Sequence, residues 1–244
     1  MSYIYGLIPV LEALRAGRRK IEQIILAENN RPARIEEIIF EARRANVPIK
    51  QERRATLDKM VSSANHQGVI AVTRSISYVD IEEVLTSSSA KSLFVILDSV
   101  EDPHNLGAVI RTAECAGATA VIIPEHNAAG VTDAVTKASA GAVEYIPIIR
   151  VTNLTQAIDR MKEKNIWIVG VEAGCPKDYT EWDYKTATAI VLGSEGKGIR
   201  RLVKEHCDML VSIPLFGKVT SLNVSVATAI VLYEAVRQRK LEKR

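Results

Sequence analysis

The pattern of apolar and polar positions divides the chain into two parts. In residues 1–76, LIPVLEALRAG and RIEEIIFEARRAN have helical spacing of apolar residues, as does a stretch around residues 57–62, while IEQIILA and GVIAVTR resemble strands. Gly17 is predicted to end a helix and Pro48 to start an extended segment. This part is predicted to be a compact α/β unit. The Ser-rich segment 77–91 is predicted to be a linker with one short helix.

Residues 92–244 alternate more regularly. The continuous apolar runs SLFVILD, AVII, IWIVGV, TAIVLG and MLVSIP are typical of strands that are buried on both faces. Helical patterns separate them, at Asn105–Gly117, Leu154–Lys164 and Ile199–Glu205. The alternation predicts an α/β fold with a parallel sheet covered on both sides. Ligands bind such sheets beyond the carboxyl ends of the strands, so the loops there are the first candidates for a site.

Composition narrows the class of protein. With 244 residues, 47% hydrophobic and 25% charged, the chain is predicted to be a soluble globular protein of one or two domains. It has no uncharged apolar run of about 18 residues and no signal-peptide pattern at its N-terminus. Three widely spaced cysteines predict neither a disulfide framework nor a metal site. We therefore expect a cytoplasmic protein without a membrane anchor.

Charge is unevenly distributed along the chain. The first 80 residues hold 13 Lys/Arg against 9 Asp/Glu, in a chain whose formal net charge is +3. The excess is clustered in RAGRRK, ARR and ERR, with RQRKLEKR at the C-terminal end. Such clusters either form solvated helix faces or contact a phosphate backbone. Charge alone leaves both interpretations open.

The first strand-end loop is DSVEDPHNLGAVIRTAECAG. Asn105 is predicted to cap the following helix, and the apolar residues after it repeat with the spacing of a buried face. Arg111 lies off that face, so it is either a surface arginine or a side chain near the strand-end crevice. Asp102 and His104 are interpreted as turn residues first and acid–base candidates second.

The second strand-end loop is LGSEGKGIRRLV. Gly193, Gly196 and Gly198 allow a backbone to approach a ligand closely, although a plain tight turn is the alternative. The loop matches neither the P-loop nor the dinucleotide-binding pattern. Glu195 argues further against a phosphate cradle, because its carboxylate would repel the ligand.

The third strand-end loop leads into TSLNVSVATAIVLYEAV. This helix is apolar on all sides, which is typical of burial in a core or an interface. Ser221, Asn223 and Ser225 at its start are more polar groups than one cap requires. Asn223 and Ser225 are therefore predicted to have hydrogen-bond partners, since burial without them costs about 1–3 kcal/mol each.

Together these loops resemble, in order, the three motifs of the SpoU (TrmH) family of RNA ribose 2′-O-methyltransferases, in the SPOUT class. The matching stretches are DPHNLGAVIRTAECAG, VLGSEGKGIRRLV and IPLFGKVTSLNVSVATAIVLYEAVRQR. YGLIPVLEAL and NHQGVIAV are similar to the substrate-binding domain of the branch that acts on 23S ribosomal RNA, a domain related to small RNA-binding ribosomal proteins. Lys218 departs from the third motif, where relatives often carry a small residue; we expect it to add a phosphate contact.

The resemblance implies S-adenosylmethionine as methyl donor, a C-terminal trefoil knot, and a homodimer that buries the last helix. It implies no metal. The residues that it assigns to the cofactor are Val171, Gly193, Ile213, Ser221 and Leu222, and those that it assigns to catalysis are Asn105, Arg111, Glu195 and Asn223. A guanidinium is essentially always protonated, so we expect Arg111 to stabilise the developing alkoxide and hold the adjacent phosphate. Glu195 and Asn223 would orient that arginine and the ribose.

The function favoured by the resemblance is 2′-O-methylation of a guanosine in 23S ribosomal RNA. One alternative is a tRNA ribose methyltransferase of the same superfamily, but the 75-residue N-terminal part favours ribosomal RNA. Another is a non-catalytic RNA-binding protein, which the intact motif residues argue against. A nucleotide-binding α/β protein is not favoured because no phosphate-binding fingerprint is present.

Overall fold

The computed structural model describes residues 2–28, 33–62 and 64–241. In chain order its strands are β1 (Ser2–Tyr5), β2 (Ile21–Ala27), β3 (Ile49–Glu52), β4 (Val69–Thr73), β5 (Leu93–Asp98), β6 (Ala120–Pro124), β7 (Ile148–Val151), β8 (Trp167–Val171), β9 (Thr188–Gly193) and β10 (Met209–Val211). Its α-helices are α1 (Leu7–Ala16), α2 (Ala33–Arg44), α3 (Arg54–Met60), α4 (Ile81–Thr86), α5 (Pro103–Cys115), α6 (Asp133–Ala138), α7 (Leu154–Glu163), α8 (Arg201–Glu205) and α9 (Val224–Leu241). In these ranges, no helix is both long and apolar enough to cross a membrane.

Contacts between residues divide the chain into two compact units. Unit 1 runs to Ser77 and also includes Val131–Tyr145, while unit 2 consists of Tyr78–Gly130 and the chain from Ile146 onward. In unit 1 a four-stranded sheet has the order β1-β4-β2-β3, and only the pair β2–β3 is parallel. Apolar residues of α1 and α2 form one core with this sheet. The sequence pattern did not predict β1, because four residues are too few to show a period.

The segment Val131–Tyr145 belongs to unit 1 although it lies between β6 and β7 in the chain. Asp133, at the start of α6, accepts hydrogen bonds from the Ser2 hydroxyl and, at 3.1 Å, from the Tyr3 amide. Arg19 Nε donates to Glu144 Oε2 at 3.0 Å, and both of these side chains are buried. Burial raises the pKa of Glu144, and the facing Arg19 only partly offsets this. Unit 1 thus contains a buried ion pair between residues far apart in sequence.

Unit 2 is built on a six-stranded sheet with the order β10-β8-β9-β5-β6-β7, in which all the strands are parallel. All six residues of β5 are buried, as expected for a central strand covered on both faces. The predicted α/β fold with a parallel sheet is confirmed, and the five predicted strands of this part are β5, β6, β8, β9 and β10. β7 was not predicted. The short helix expected in segment 77–91 is α4, and its Ile81, Val84 and Leu85 are buried in the core of unit 2.

The strand order of unit 2 brings three loops together. Because β8, β9 and β5 are neighbours, the loops that follow Val171, Gly193 and Asp98 leave the sheet side by side. A Cβ atom at Gly193 would lie 2.0 Å from the carbonyl carbon of Gly198, so the loop after β9 folds directly back over the strand end. Gly198 has a φ of +65°, a backbone conformation that favours glycine. These glycines therefore serve a close backbone approach.

Candidate active site

A cluster of three side chains lies at the carboxyl edge of the unit 2 sheet. Asn105 Nδ2 donates to Glu195 Oε1 at 3.0 Å. Asn223 Nδ2 donates to the same carboxylate oxygen at 2.6 Å and to Asn105 Oδ1 at 2.9 Å. Three loops that are far apart in sequence therefore meet in one hydrogen-bonded group. The prediction that Asn223 has a polar partner is confirmed.

Helix caps hold this cluster in place, but the cap of α5 is not the predicted one. The N-cap of α5 is Asp102, whose carboxylate accepts from the His104 amide at 2.9 Å, and Asn105 lies inside the helix. For α9 the cap is Asn223, since its Oδ1 accepts from the Ser225 amide at 2.9 Å and from the Ser225 hydroxyl at 2.6 Å. The prediction of Asn105 as a cap was wrong, because Asp102 and Pro103 begin the helix earlier. Asn223 therefore caps α9 through Oδ1 and joins the cluster through Nδ2.

The structure does not bring Arg111 into this cluster. It lies six residues after Asn105 on α5, which corresponds to about 9 Å along the helix axis and about 240° around it. Arg111 is exposed. Within the described ranges, its side chain forms no hydrogen bond or ion pair. Asn105 and Arg111 of one chain therefore lie on different faces of α5.

The residues predicted to bind a cofactor line one cavity. This first cavity, of about 260 Å³, is formed by the loops after β8, β9 and β10. Its lining includes all five predicted residues, Val171, Gly193, Ile213, Ser221 and Leu222. The cavity beside Glu195 is thus surrounded by apolar side chains from three loops and by the backbone of residues 193–198. Such a lining suits a ligand with an apolar ring and several polar groups.

Sequence reasoning missed Glu172, which also lines the first cavity. One carboxylate oxygen of Glu172 accepts from Lys204 Nζ at 2.6 Å and the other from the Ile199 amide at 3.2 Å. Asp98, which is fully buried, likewise accepts from the Arg200 amide at 2.8 Å. Two carboxylates from the ends of β8 and β5, the strands on either side of β9, therefore fix consecutive amides after the glycine loop. A carboxylate at or directly after the end of a buried strand was the sequence signal that could have indicated Glu172 and Asp98.

A second cavity, of about 610 Å³, lies on the other side of the Glu195 loop. Residues shared by both cavities are Ser194, Glu195, Lys197, Gly198 and Val224. The second cavity is also lined by Asn105. The polar cluster therefore stands where two cavities adjoin, which is the arrangement that transfer of a group between two bound molecules requires.

The cysteines provide no ready nucleophile at either cavity. Burial raises the pKa of Cys115 and Cys175, and it raises the pKa of Cys207 to about 12. A thiol with a raised pKa holds its proton at neutral pH, whereas the thiolate is the reactive form. None of the three cysteines lines either cavity, so the geometry favours direct transfer over a covalent enzyme intermediate at cysteine.

Several arginines of the predicted basic clusters are bound to carboxylates. Arg15 contacts Glu12 at 3.2 Å and Glu37 at 3.1 Å, and Arg19 is buried against Glu144. In the C-terminal cluster, Arg237 binds Glu234, and Arg239 donates to backbone carbonyls, including that of Tyr184 at 2.8 Å. Residues 242–244 of that cluster lie outside the described ranges. These four arginines serve the fold, so fewer cations are available to RNA than the sequence predicts.

Comparison with known proteins decides the family. A model described as the SpoU rRNA methylase family matches residues 92–233. The chain belongs to this family. A second model, RNA 2′-O ribose methyltransferase substrate binding, matches residues 3–79. The resemblance predicted from the three motifs is thereby confirmed, together with the enzyme class, an S-adenosylmethionine-dependent RNA 2′-O-ribose methyltransferase.

Individual relatives of this SpoU-family chain match it over nearly its full length. It is 41% identical to the 23S rRNA (guanosine-2′-O-)-methyltransferase RlmB of Pseudomonas putida, over 100% of this chain and 99% of that protein. It is 42% identical to YacO of Bacillus subtilis, assigned to the TrmH family of tRNA/rRNA methyltransferases, over 98% of this chain and 96% of the relative. An AdoMet-bound rRNA methyltransferase from Sinorhizobium meliloti superposes with a TM-score of 0.82 at 26% identity, covering 97% of this chain and 87% of that one.

Proposed function

We propose that this protein transfers the methyl group of S-adenosylmethionine to the ribose 2′-hydroxyl of a guanosine in 23S ribosomal RNA. The observation that carries the proposal is the Asn105–Glu195–Asn223 cluster between two adjoining cavities. The substrate is inferred from the full-length similarity to RlmB of Pseudomonas putida. A tRNA ribose is the second candidate, because YacO carries a name that includes both substrates. Either substrate is cytoplasmic, and so we place the enzyme there.

The first cavity fits the methyl donor. Val171, Ile213 and Leu222 provide apolar surface for an adenine ring, while the close approach of Gly193 to Gly198 leaves backbone groups at the cavity wall. Ser221 adds a hydroxyl. A donor bound there supplies an activated methyl group for in-line displacement. We further propose that the C-terminal chain forms the family's trefoil knot, because the cavity is assembled from three successive loops of that region.

In the second cavity, the protein's own residues position the acceptor. Glu195 and Asn223 would hold the ribose and the catalytic arginine, and Asn105 fixes both by its two hydrogen bonds. We assign to Arg111 the stabilisation of the developing alkoxide and the binding of the adjacent phosphate, since a guanidinium cannot serve as a base. These positions contribute orientation and charge stabilisation, the two largest sources of rate for such a displacement.

A homodimer would resolve the separation of Arg111 from the cluster. One side of α9 packs against α5, but Val226 and Tyr233 on α9 are exposed, as is Phe216 in the preceding loop. A second copy covering that apolar surface would bring its own Arg111 to the cluster. We propose this arrangement, in which the interface is formed through α9.

Binding of the RNA is assigned to a domain of residues 1–76 and catalysis to a methyltransferase domain at 92–244. The segment 77–91 connects them, but its helix α4 packs in the core of unit 2 and is not a free linker. The two family matches, 3–79 and 92–233, support these limits. Because Arg15 and Arg19 bind carboxylates, we assign the phosphate contacts to Arg53 and Arg54, which are exposed. Lys218, exposed in the loop before α9, is a further contact.

The arginine assignment is tested with mixed dimers. Arg111→Lys should abolish turnover while calorimetric binding of the donor stays nearly unchanged, and Asn105→Ala should do the same. If Arg111 acts on the partner's cluster, a dimer of one Arg111→Lys chain and one Asn105→Ala chain has one intact site and about half of wild-type activity. Inactive mixed dimers would contradict an arginine supplied by the partner. Loss of donor binding by Arg111→Lys would contradict its catalytic assignment.

The function itself is tested by supplying labelled methyl donor with total RNA from a strain that lacks the protein. Label should appear in the ribose of one guanosine of 23S ribosomal RNA. Label in tRNA alone would favour the second candidate, and label in a base would contradict the proposal.

A further inference from the structure

The second cavity has a mixed lining that a phosphate site would not need. Lys197 and Arg200 carry positive charge, while Glu101, Asp102 and Glu195 carry negative charge. Asn127 adds both a donor and an acceptor. Three carboxylates would repel a phosphate, whereas donors and acceptors on one wall suit the edges of a nucleobase. The lining therefore favours a base over a phosphate.

Arg200 is the most firmly held of these groups. Its amide and its Nε both donate to Asp98, at 2.8 and 2.7 Å, and Asp98 is fully buried at the end of β5. The side chain of Arg200 is still 52% exposed. For its two Nη groups, the described part of the chain offers no hydrogen-bond acceptor. Asp98 thus orients a guanidinium whose outer face is free for a ligand.

The three carboxylates of the cavity differ in availability. Glu195 accepts from Asn105 and Asn223. Asp102 accepts from the His104 amide as the cap of α5. Glu101 is exposed, and it has no hydrogen-bond or ion-pair partner in the ranges that the structure describes. Asn127 is held nearby by the loop after β6, where the Ala129 amide donates to the Val100 carbonyl at 2.9 Å. Glu101 is therefore the acceptor that a ligand would meet.

We propose that the second cavity binds the base of the target nucleotide and selects guanine. Arg200 would donate to O6 and N7, and Glu101 would accept from N1–H and the 2-amino group. Bidentate arginine is the commonest specific contact to those two guanine acceptors, and bases of single-stranded RNA are read on both of these edges. Adenine would place an amino group opposite Arg200, donor against donor. The inference rests on the proposed function, and it names the residues that set base specificity.

The test is single-turnover methyl transfer to an RNA fragment containing the mapped target. The target guanosine is replaced by inosine, which lacks the 2-amino group, or by 7-deazaguanosine, which lacks N7. The wild type should react about 5- to 150-fold more slowly with each analogue. With Glu101→Ala, guanosine should react as slowly as inosine, so that the inosine penalty disappears. With Arg200→Met, which has no side-chain donor, the 7-deazaguanosine penalty should disappear.

Glu163→Ala is the matched control, because Glu163 is an exposed glutamate on α7 outside both cavities. This variant should react with guanosine at the wild-type rate and should remain slower with inosine and with 7-deazaguanosine. Calorimetric donor binding checks that each variant remains folded at the first cavity. A Glu101→Ala protein that still prefers guanosine over inosine would overturn the proposal, as would a wild type indifferent to the 2-amino group. A wild type that methylates no ribose would instead refute the proposed function.

Discussion

Polar side chains are used differently at the carboxyl edge of the unit 2 sheet and in the Arg15–Lys20 cluster of unit 1. At the sheet edge, Asn105, Glu195 and Asn223 bind one another, and Asn105 and Glu195 still line cavities. In the cluster, Arg15 and Arg19 are bound to glutamates, and Arg19 is buried. Hydrogen-bonded side chains that remain accessible from a cavity can still bind a ligand. An arginine enclosed by carboxylates stabilises the fold and offers little charge to RNA.

The largest expected effect tests whether the buried Arg19 of the Arg15–Lys20 cluster stabilises the fold. Glu144→Ala leaves Arg19 buried without its partner, which should lower the free energy of unfolding of unit 1 by about 3–5 kcal/mol. Hydrogen exchange of the β2 and β4 amides measures this. Glu37→Ala, which removes an exposed partner of Arg15, is the control and should cost less than about 1 kcal/mol. Equal losses in the two variants would remove the distinction between buried and exposed pairs.

A smaller effect separates the two asparagines of the sheet edge. Asn223→Ala removes the cap of α9 and should cost about 1 kcal/mol in urea unfolding. Asn105→Ala, inside α5, should cost nothing measurable by the same method, because alanine is the better helix former. The two proteins should nevertheless be equally inactive. Equal stabilities would show that Asn223 is not the cap.

The smallest effect concerns the salt dependence of RNA binding. Replacing both Arg53 and Arg54 by Gln should reduce the slope of log affinity against log salt by about 2, one for each lost phosphate contact. Arg15→Gln should leave the slope unchanged, since Arg15 is bound to Glu12 and Glu37. Filter binding at several salt concentrations measures these slopes. A change with Arg15→Gln alone would reverse the assignment.

Much of unit 2 could be predicted from sequence because its strands are continuous apolar runs. β9 spans the predicted residues, and β5 differs by one residue at its start. β1 and β7, of four residues each, are too short to show a period. Val131–Tyr145 was missed because its partners in unit 1 are distant, Arg19 and Glu144 being 125 positions apart. Local patterns carry no information about such pairs.

The candidate site shows the same limit. The motifs predicted the candidate catalytic residues, and the structure places three of them, Asn105, Glu195 and Asn223, together. The cap of α5 was assigned to the wrong residue and that of α9 was not assigned, because neighbouring Asp, Asn and Ser side chains all suit a cap. The position of Arg111 depends on helix rotation and, in our proposal, on a second copy. Single-chain patterns do not contain that contact.

The central claim is that the cluster positions the ribose for methyl transfer, and that its member Asn105 does so without holding the donor. Asn105→Ala tests it most directly, because Asn105 lines the second cavity and not the first. Donor affinity by calorimetry and single-turnover transfer to the target RNA are measured on the same protein. We predict an unchanged donor affinity and a transfer rate at least about 100-fold lower, the loss typical of removing one positioned polar group. Transfer at the wild-type rate would contradict the account.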